Sequence, residues 1–392
     1  MAKIDILKIA KEAQTKKKLN NNLIDATIGM FYNEKNELII PKVKEAYYNI
    51  DLLETFKYGS TDGGKEFEDN VINWVLDVKK DELKEKFLFG GVPTPGGSGA
   101  LSLIFGSYGN VGDKVLVSNL RWRYDYFIKA ANLEIHEFNL FKEDKFDMND
   151  FLNQIDFLSK QQKRIIIVIN DPCHNPSGYQ LNKDEWHVII NKLNELKNNE
   201  FVIAYDIAYF DYDPRGFHEA RNTFSYFKHL KENTQVLACF SASKSFAIYG
   251  IRLGGLVGLF HNQKQLNFFK KDVLDNALGK WSTAPSVGIN IFNMLAGDKE
   301  SYLEYLTGLT KTLKKRGDIF IKEANEVGLK LFPYKGGFFI LIKSDSPEED
   351  FKKLVSKDIY VIPMDVGLRV AICGITIKEV TGLAKRINDI IK

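Results

Sequence analysis

Residues 164–170 read RIIIVIN, an unbroken run of β-branched side chains from Ile165 to Ile169 closed by Asn170. The run is too short for a helix and lacks the alternation of a half-exposed strand. It predicts a strand covered on both faces, the mark of a mainly parallel sheet flanked by helices. Working outward, KVLVS (114–118), FVIAYD (201–206), QVLACFS (235–241) and LGGLVGLF (253–260) repeat the pattern. Between them, NKDEWHVIINKLNELKNN (182–199) sets Trp186, Ile189, Ile190, Leu193 and Leu196 on one helical stripe. The expected fold class is α/β, with a large domain built on that sheet. From about residue 301 the pattern changes to a long helical stretch, then strand-like FFILI (338–342) and IYVIP (359–363). This predicts a smaller α+β domain joined by the N-terminal segment, dividing the chain into 46–304 and 1–45 plus 305–392.

The 392 residues are 44% hydrophobic and 27% charged, an ordinary globular composition that excludes disorder. The 54 basic and 51 acidic side chains nearly cancel, so the field that would steer nucleic acid is weak. Lys16, Lys17 and Lys18 read as a solvated turn after a helix. Cys173, Cys239 and Cys373 are too scattered for a disulfide framework or a zinc site and fit a reducing compartment. The N-terminus has an amphipathic rhythm at Ile6, Ile9, Ala10 and Ala13 rather than an apolar leader, and no run approaches the ~20 apolar residues a bilayer demands. A cytoplasmic protein with no metal, membrane or nucleic-acid partner is expected.

Several of the apolar runs end in polar residues: Asn170 and Asp171, Asp206, Ser241. In open α/β sheets, side chains at the carboxyl ends of strands converge on one crevice. Directly there stands SASKSFAIYGIRLG (241–254), with Lys244 between two serines. A lysine on a turn needs no explanation unless its neighbours supply chemistry. If Lys244 bonded an aldehyde cofactor with a pyridine ring and a phosphate, the site would need four things: a carboxylate, donors for a phenolic oxygen, a phosphate cradle and a flat surface. Asp206 could supply the first, although taken alone it reads more readily as a helix N-cap. Tyr209 and Asn175 could supply the second, although NPSG alone is a turn composition. Gly97 and Ser98 precede an apparent helix, while Ser241 and Arg252 flank the lysine at three and eight residues, suiting one phosphate beside one imine.

These motifs together resemble class I pyridoxal-phosphate aminotransferases of the aspartate and aromatic type, in the family's order: ATIGMF, YGSTDGGKEF, GGSGAL, SNLRWRYDY, CHNPSG, YDIAY, the lysine segment and LRVAICGIT. The resemblance implies fold type I and pyridoxal 5'-phosphate bound to Lys244, with Lys244, Asp206 and Tyr209 as catalytic residues of a ping-pong transamination. It further implies that Trp122 stacks on the cofactor and that Gly29, Trp122, Asn175 and Arg369 line the substrate, Arg369 pairing with its α-carboxylate. Tyr58 would cross to the partner's phosphate in a homodimer with shared active sites. Without the family, Arg369 is a charged residue inside a strand-like apolar run, for which a surface place on an edge strand is the lesser alternative.

Two departures matter. Leu278 stands where dicarboxylate-specific relatives carry an arginine from the neighbouring subunit, which predicts aromatic or apolar amino donors, with 2-oxoglutarate as acceptor; Lys280, Arg121 or Arg123 could restore a cation. Arg123 and Asp125 occupy places where the family has a proline and a histidine backing the cofactor's aspartate. A second carboxylate near Asp206 would upset ring protonation. His174 is given no catalytic part. Alternative readings are an aspartate aminotransferase, a carbon–sulfur β-lyase on the same cofactor, or a cofactor-binding regulatory domain. The last is disfavoured because about two dozen residues precede the first motif, too few for a DNA-binding unit.

Overall fold

The computed structural model describes residues 6–392. Its centre is a seven-stranded sheet made of β1 (Leu88–Thr94), β2 (Lys114–Ser118), β3 (Glu134–Phe138), β4 (Arg164–Asn170), β5 (Glu200–Asp206), β6 (Thr234–Ser241) and β7 (Gly254–Phe260), in the order β1-β7-β6-β5-β4-β2-β3. The pairs from β6 to β3 are parallel and only β7 runs against its neighbours, so the sheet is mainly parallel as expected.

The physical reason for RIIIVIN is visible here. Ile165, Ile167 and Ile169 of β4 join one buried cluster and Ile166 and Val168 the other, because successive side chains leave a strand on opposite faces. In β5, Phe201, Ile203 and Tyr205 divide from Val202 and Ala204 in the same way. Helices seal both faces, among them α2 (Gly96–Tyr108), α3 (Tyr124–Ala130) and α4 (Lys183–Glu195), while α1 (Ile6–Lys17) packs against Ile24–Asp25 and Ile359–Tyr360 and the long α5 (Lys299–Val327) packs chiefly against the C-terminal helices. Trp186, Ile189, Ile190 and Leu193 of α4 are buried, as their spacing predicts.

A second, three-stranded antiparallel sheet holds β8 (Phe339–Lys343), β9 (Ile362–Met364) and β10 (Gly367–Ala371), in the order β8-β10-β9. The N-terminal pair Ile24–Asp25 adds in parallel to Ile359–Tyr360, and Ala371 N donates to Ala26 O at 2.9 Å. The chain near Gly29 is thereby carried to the junction of the two sheets. All three cysteines are free and buried.

Candidate active site

Strand register brings the polar ends together. Asn170 lies opposite Asp206, Asp206 opposite Cys239, and Ser241 opposite Gly254, which pairs in turn with Thr94. One helical turn, Ala242–Ser245, follows β6 and carries Lys244 into a cavity of about 210 Å³. Gly97, Ser98, Trp122, Asp206, Tyr209, Ser241 and Arg252 share its wall. Lys244 Nζ donates to the Gly29 carbonyl at 2.8 Å and lies 4.7 Å from the centre of the Tyr249 ring. Loss of water lowers its pKa from 10.5 to about 8, with the Arg369 and Arg252 charges pushing the same way.

Asp206 is buried. Its Oδ1 accepts from Ala208 N at 3.1 Å and its Oδ2 from the Tyr124 hydroxyl at 2.6 Å. Burial raises its pKa, while the Tyr124 and Ala208 bonds and the Lys244 charge act to lower it. It caps no helix, since the next helical turn, Phe210–Tyr212, begins after Tyr209. Each oxygen keeps acceptor capacity for a further donor.

The feared crowding of Asp206 by Asp125 does not occur. Asp125 is gripped by Arg121 through two bonds of 2.9 and 3.1 Å, and Arg121 also meets Glu137 at 2.7 Å. The neighbouring Tyr124 points inward instead and is the partner of Asp206. Sequence reading missed it. The available signal was a tyrosine one position before the residue counted as facing the aspartate, since adjacent helical residues point about 100° apart.

On the other side of the cavity the first turn of α2 contributes Gly97 and Ser98 to the wall, and with no side-chain cap its first amides are left without a capping partner. Arg252 bridges Ser98 Oγ at 3.3 Å and Ser243 Oγ at 3.0 Å. Gly96 adopts φ 74°, and a Cβ there would fall 2.3 Å from Arg252 Nη2. Uncapped amides, hydroxyls and a guanidinium make a seat for a phosphate. With a carboxylate and a partly neutral lysine across the cavity, these residues fit pyridoxal phosphate.

A second cavity of about 290 Å³ shares Trp122, Tyr209 and Lys244 and adds Gly29, Asn175, Arg123, Phe339 and Arg369. Arg369 is no surface residue. It sits on β10, the central strand of the small sheet, only 6% exposed. Its Nη1 donates to Asn175 Oδ1 at 3.3 Å and its Nη2 to Thr27 O at 2.9 Å, while Nε is buried with no partner among the described residues. Burial lowers its pKa to about 10. Asn175 Nδ2 donates to the Tyr209 hydroxyl at 3.2 Å, and burial pushes the phenol's pKa upward. Gly29 has no room for a side chain, because a Cβ would come within 2.4 Å of the Phe339 ring.

The positions expected to face a neighbouring subunit line neither cavity of this chain: Tyr58 is 99% exposed, and Leu278 and Lys280 are exposed on the helix Leu274–Trp281. His174 is buried with Nδ1 at 2.9 Å from Ser177 Oγ, and burial lowers its pKa to about 3, leaving it neutral. Among the described residues no cluster of His, Cys, Asp and Glu could hold a metal ion, and no helix is long and apolar enough to cross a membrane.

Comparison with known proteins adds independent findings. Residues 21–387 match the family described as aminotransferase class I and II. The aromatic-amino-acid aminotransferase of Pseudomonas aeruginosa is 26% identical over 213 residues, covering 53% of this chain and about half, 51%, of that protein. A crystal structure of an aminotransferase from Anaerococcus prevotii superposes with a TM-score of 0.94 at 28% identity, over 100% of this chain and 98% of that one. The aromatic-amino-acid aminotransferase of Burkholderia pseudomallei, solved covalently bound to pyridoxal phosphate, shares the fold with a TM-score of 0.83 at 18% identity, over 100% of this chain and 98% of that one. With the match running through both sheets and both cavities, the chain belongs to the aminotransferase class I and II family, whose members depend on pyridoxal phosphate.

Proposed function

We propose that this aminotransferase moves the amino group of an aromatic or apolar amino acid to a 2-oxo acid such as 2-oxoglutarate, in two half-reactions on one site. The observation that carries this reading is that two adjoining cavities share Trp122, Tyr209 and Lys244, one ending at α2 and Arg252 and the other at Arg369. Asp206 would face the cofactor's ring nitrogen, Asn175 and Tyr209 its phenolic oxygen, and Trp122 its ring. Gly97, Ser98, Ser241 and Arg252 would hold its phosphate, and Lys244 would bond its aldehyde. When bound, the cofactor supplies an electron sink that makes the substrate's Cα–H acidic.

The chain's own residues do the rest. Arg369 binds the α-carboxylate, and its unpartnered Nε supports that role. Asp206 holds the proton on the ring nitrogen, helped by Tyr124. Lys244 Nζ, with a pKa of about 8, is partly neutral near neutral pH and can take the Cα proton and return it to another carbon. Gly29 O and the Tyr249 ring hold the amine when it is not so engaged.

The same reading includes a cytoplasmic homodimer in which Tyr58 reaches the partner's phosphate. It also divides the chain into 46–304 and 1–45 plus 305–392, with α5 running across the boundary. A panel of donors with 2-oxoglutarate tests the activity. Phenylalanine, tyrosine or leucine should yield glutamate and a 2-oxo acid without ammonia. Pyruvate and ammonia from cystathionine would establish a β-lyase instead, and aspartate as the fastest donor would overturn the apolar preference.

A further inference from the structure

Three guanidinium groups line the substrate cavity, those of Arg121, Arg123 and Arg369, and only the last has an expected task. Arg369 lies at one end. Arg123 lies on the wall beside Trp122, half-buried, and makes no ion pair or hydrogen bond among the described residues; its guanidinium rests 5.9 Å from the centre of the Tyr126 ring. Of the other cations near the site, Arg121 is neutralised by Asp125 and Glu137, and Lys280, exposed outside this chain's cavity, would serve only a neighbouring subunit's site. The remaining lining is largely apolar, with Ile28, Phe339 and Met364.

Two like charges on one partly buried space, neither offset by a carboxylate of the described residues, repel each other until an anion lies between them. Arg123 is close enough to Arg369 for its charge to add to the burial that depresses the Arg369 pKa. A molecule with a carboxylate at each end relieves both. A molecule with one carboxylate and an apolar or aromatic tail relieves only Arg369, and Arg123 then keeps its place on the Tyr126 face or stacks on the tail.

We propose that Arg123 binds the distal carboxylate of dicarboxylate substrates from within the same chain, replacing the neighbouring-subunit arginine that Leu278 cannot supply. The inference rests on the transaminase reading above and deepens it, because it explains how one site accepts an apolar donor and then 2-oxoglutarate. Arg123 is thus a specificity-determining residue of the second half-reaction.

Binding of inert carboxylates to the holoenzyme tests this without turnover. Calorimetry with glutarate and pentanoate should show glutarate binding about tenfold or more tightly, the weight of one charge-assisted hydrogen-bonded pair. In R123Q that advantage should vanish, and in R123K part of it should return. In steady-state kinetics, the ratio of kcat/KM for 2-oxoglutarate over phenylpyruvate should fall about ten- to a hundredfold in R123Q, with partial recovery in R123K. Equal binding of glutarate and pentanoate by the wild type, or an unchanged ratio in R123Q, would overturn the assignment. A protein that binds glutarate through Arg123 but turns over no donor would instead refute the transaminase reading alone.

Discussion

Lys244 carries its positive charge in a place that disfavours it, and the cofactor-free protein should reveal this directly. An ordinary lysine is protonated until pH 10.5, whereas burial brings Lys244 to about 8. Only the free amine is nucleophilic, so its modification by an aldehyde trapped with borohydride should rise with pH and level off just above 8. Peptide mapping would locate the product, and a rate still climbing towards pH 10 at this position would contradict the assignment. Tyr124 invites a second test. Its hydroxyl donates to a buried carboxylate at 2.6 Å, and Y124F removes that donor without removing the ring. The Asp206 pKa should then rise further, making it a weaker partner for a protonated ring. The cofactor dissociation constant should increase about tenfold or more, as expected for losing a hydrogen bond to a charged group, while the fold remains intact by circular dichroism. Unchanged affinity would show that the Tyr124 bond is merely structural. Lys244, Asp206, Asn175 and Arg252 were legible because each stands in a motif with a distinctive order. Tyr124 was not, because the Arg121–Asp125 pair sets which residue of that turn faces inward, and no linear spacing encodes such a pair.

At the scale of elements, the phosphate seat depends on the turn that starts α2. Gly96 combines a left-handed backbone with contact against Arg252, so G96A meets both obstacles. The backbone term alone should cost about 1–2 kcal/mol of stability in urea unfolding of the cofactor-free protein. Displacement of Arg252 should additionally weaken inorganic phosphate binding. A control lies at α4, where Asn182 and Glu185 form a reciprocal cap. N182A should cost about 1 kcal/mol and leave phosphate binding as it was. The interior strands β4, β5 and β6 were readable because burial on both faces demands uniform hydrophobicity. β1 was not, since LFGGVPT contains two glycines and a proline. Gly90 and Gly91 admit Phe269 and Val71 where a side chain would collide, so packing rather than strand propensity chose them. β3, EIHEF, lies at the sheet edge and alternates polar residues that a partly exposed strand tolerates.

For the whole molecule, the outer surface supplies what the interior does not explain. Leu52, Leu53, Phe56 and Tyr58 crowd four large apolar or aromatic side chains into seven residues, and Phe56 is 81% exposed. Contiguous apolar surface of this kind marks an interaction site. Tyr58 contributes to neither cavity of its own chain, so its expected contact with the phosphate requires a second copy. Sedimentation should therefore give the mass of two chains for the wild type and of one for F56D, with loss of cofactor affinity in the same variant. Mixing two defective variants separates shared from self-contained sites. In a hybrid of Y58A with K244A, the Y58A chain supplies Lys244 and receives an intact Tyr58 from its partner, so one of the two sites is complete. Activity should reappear after the variants are unfolded and refolded together, though neither regains it when refolded alone. If each site drew Tyr58 from its own chain, every site in the hybrid would lack one of the two residues and the mixture would stay as inactive as its parts.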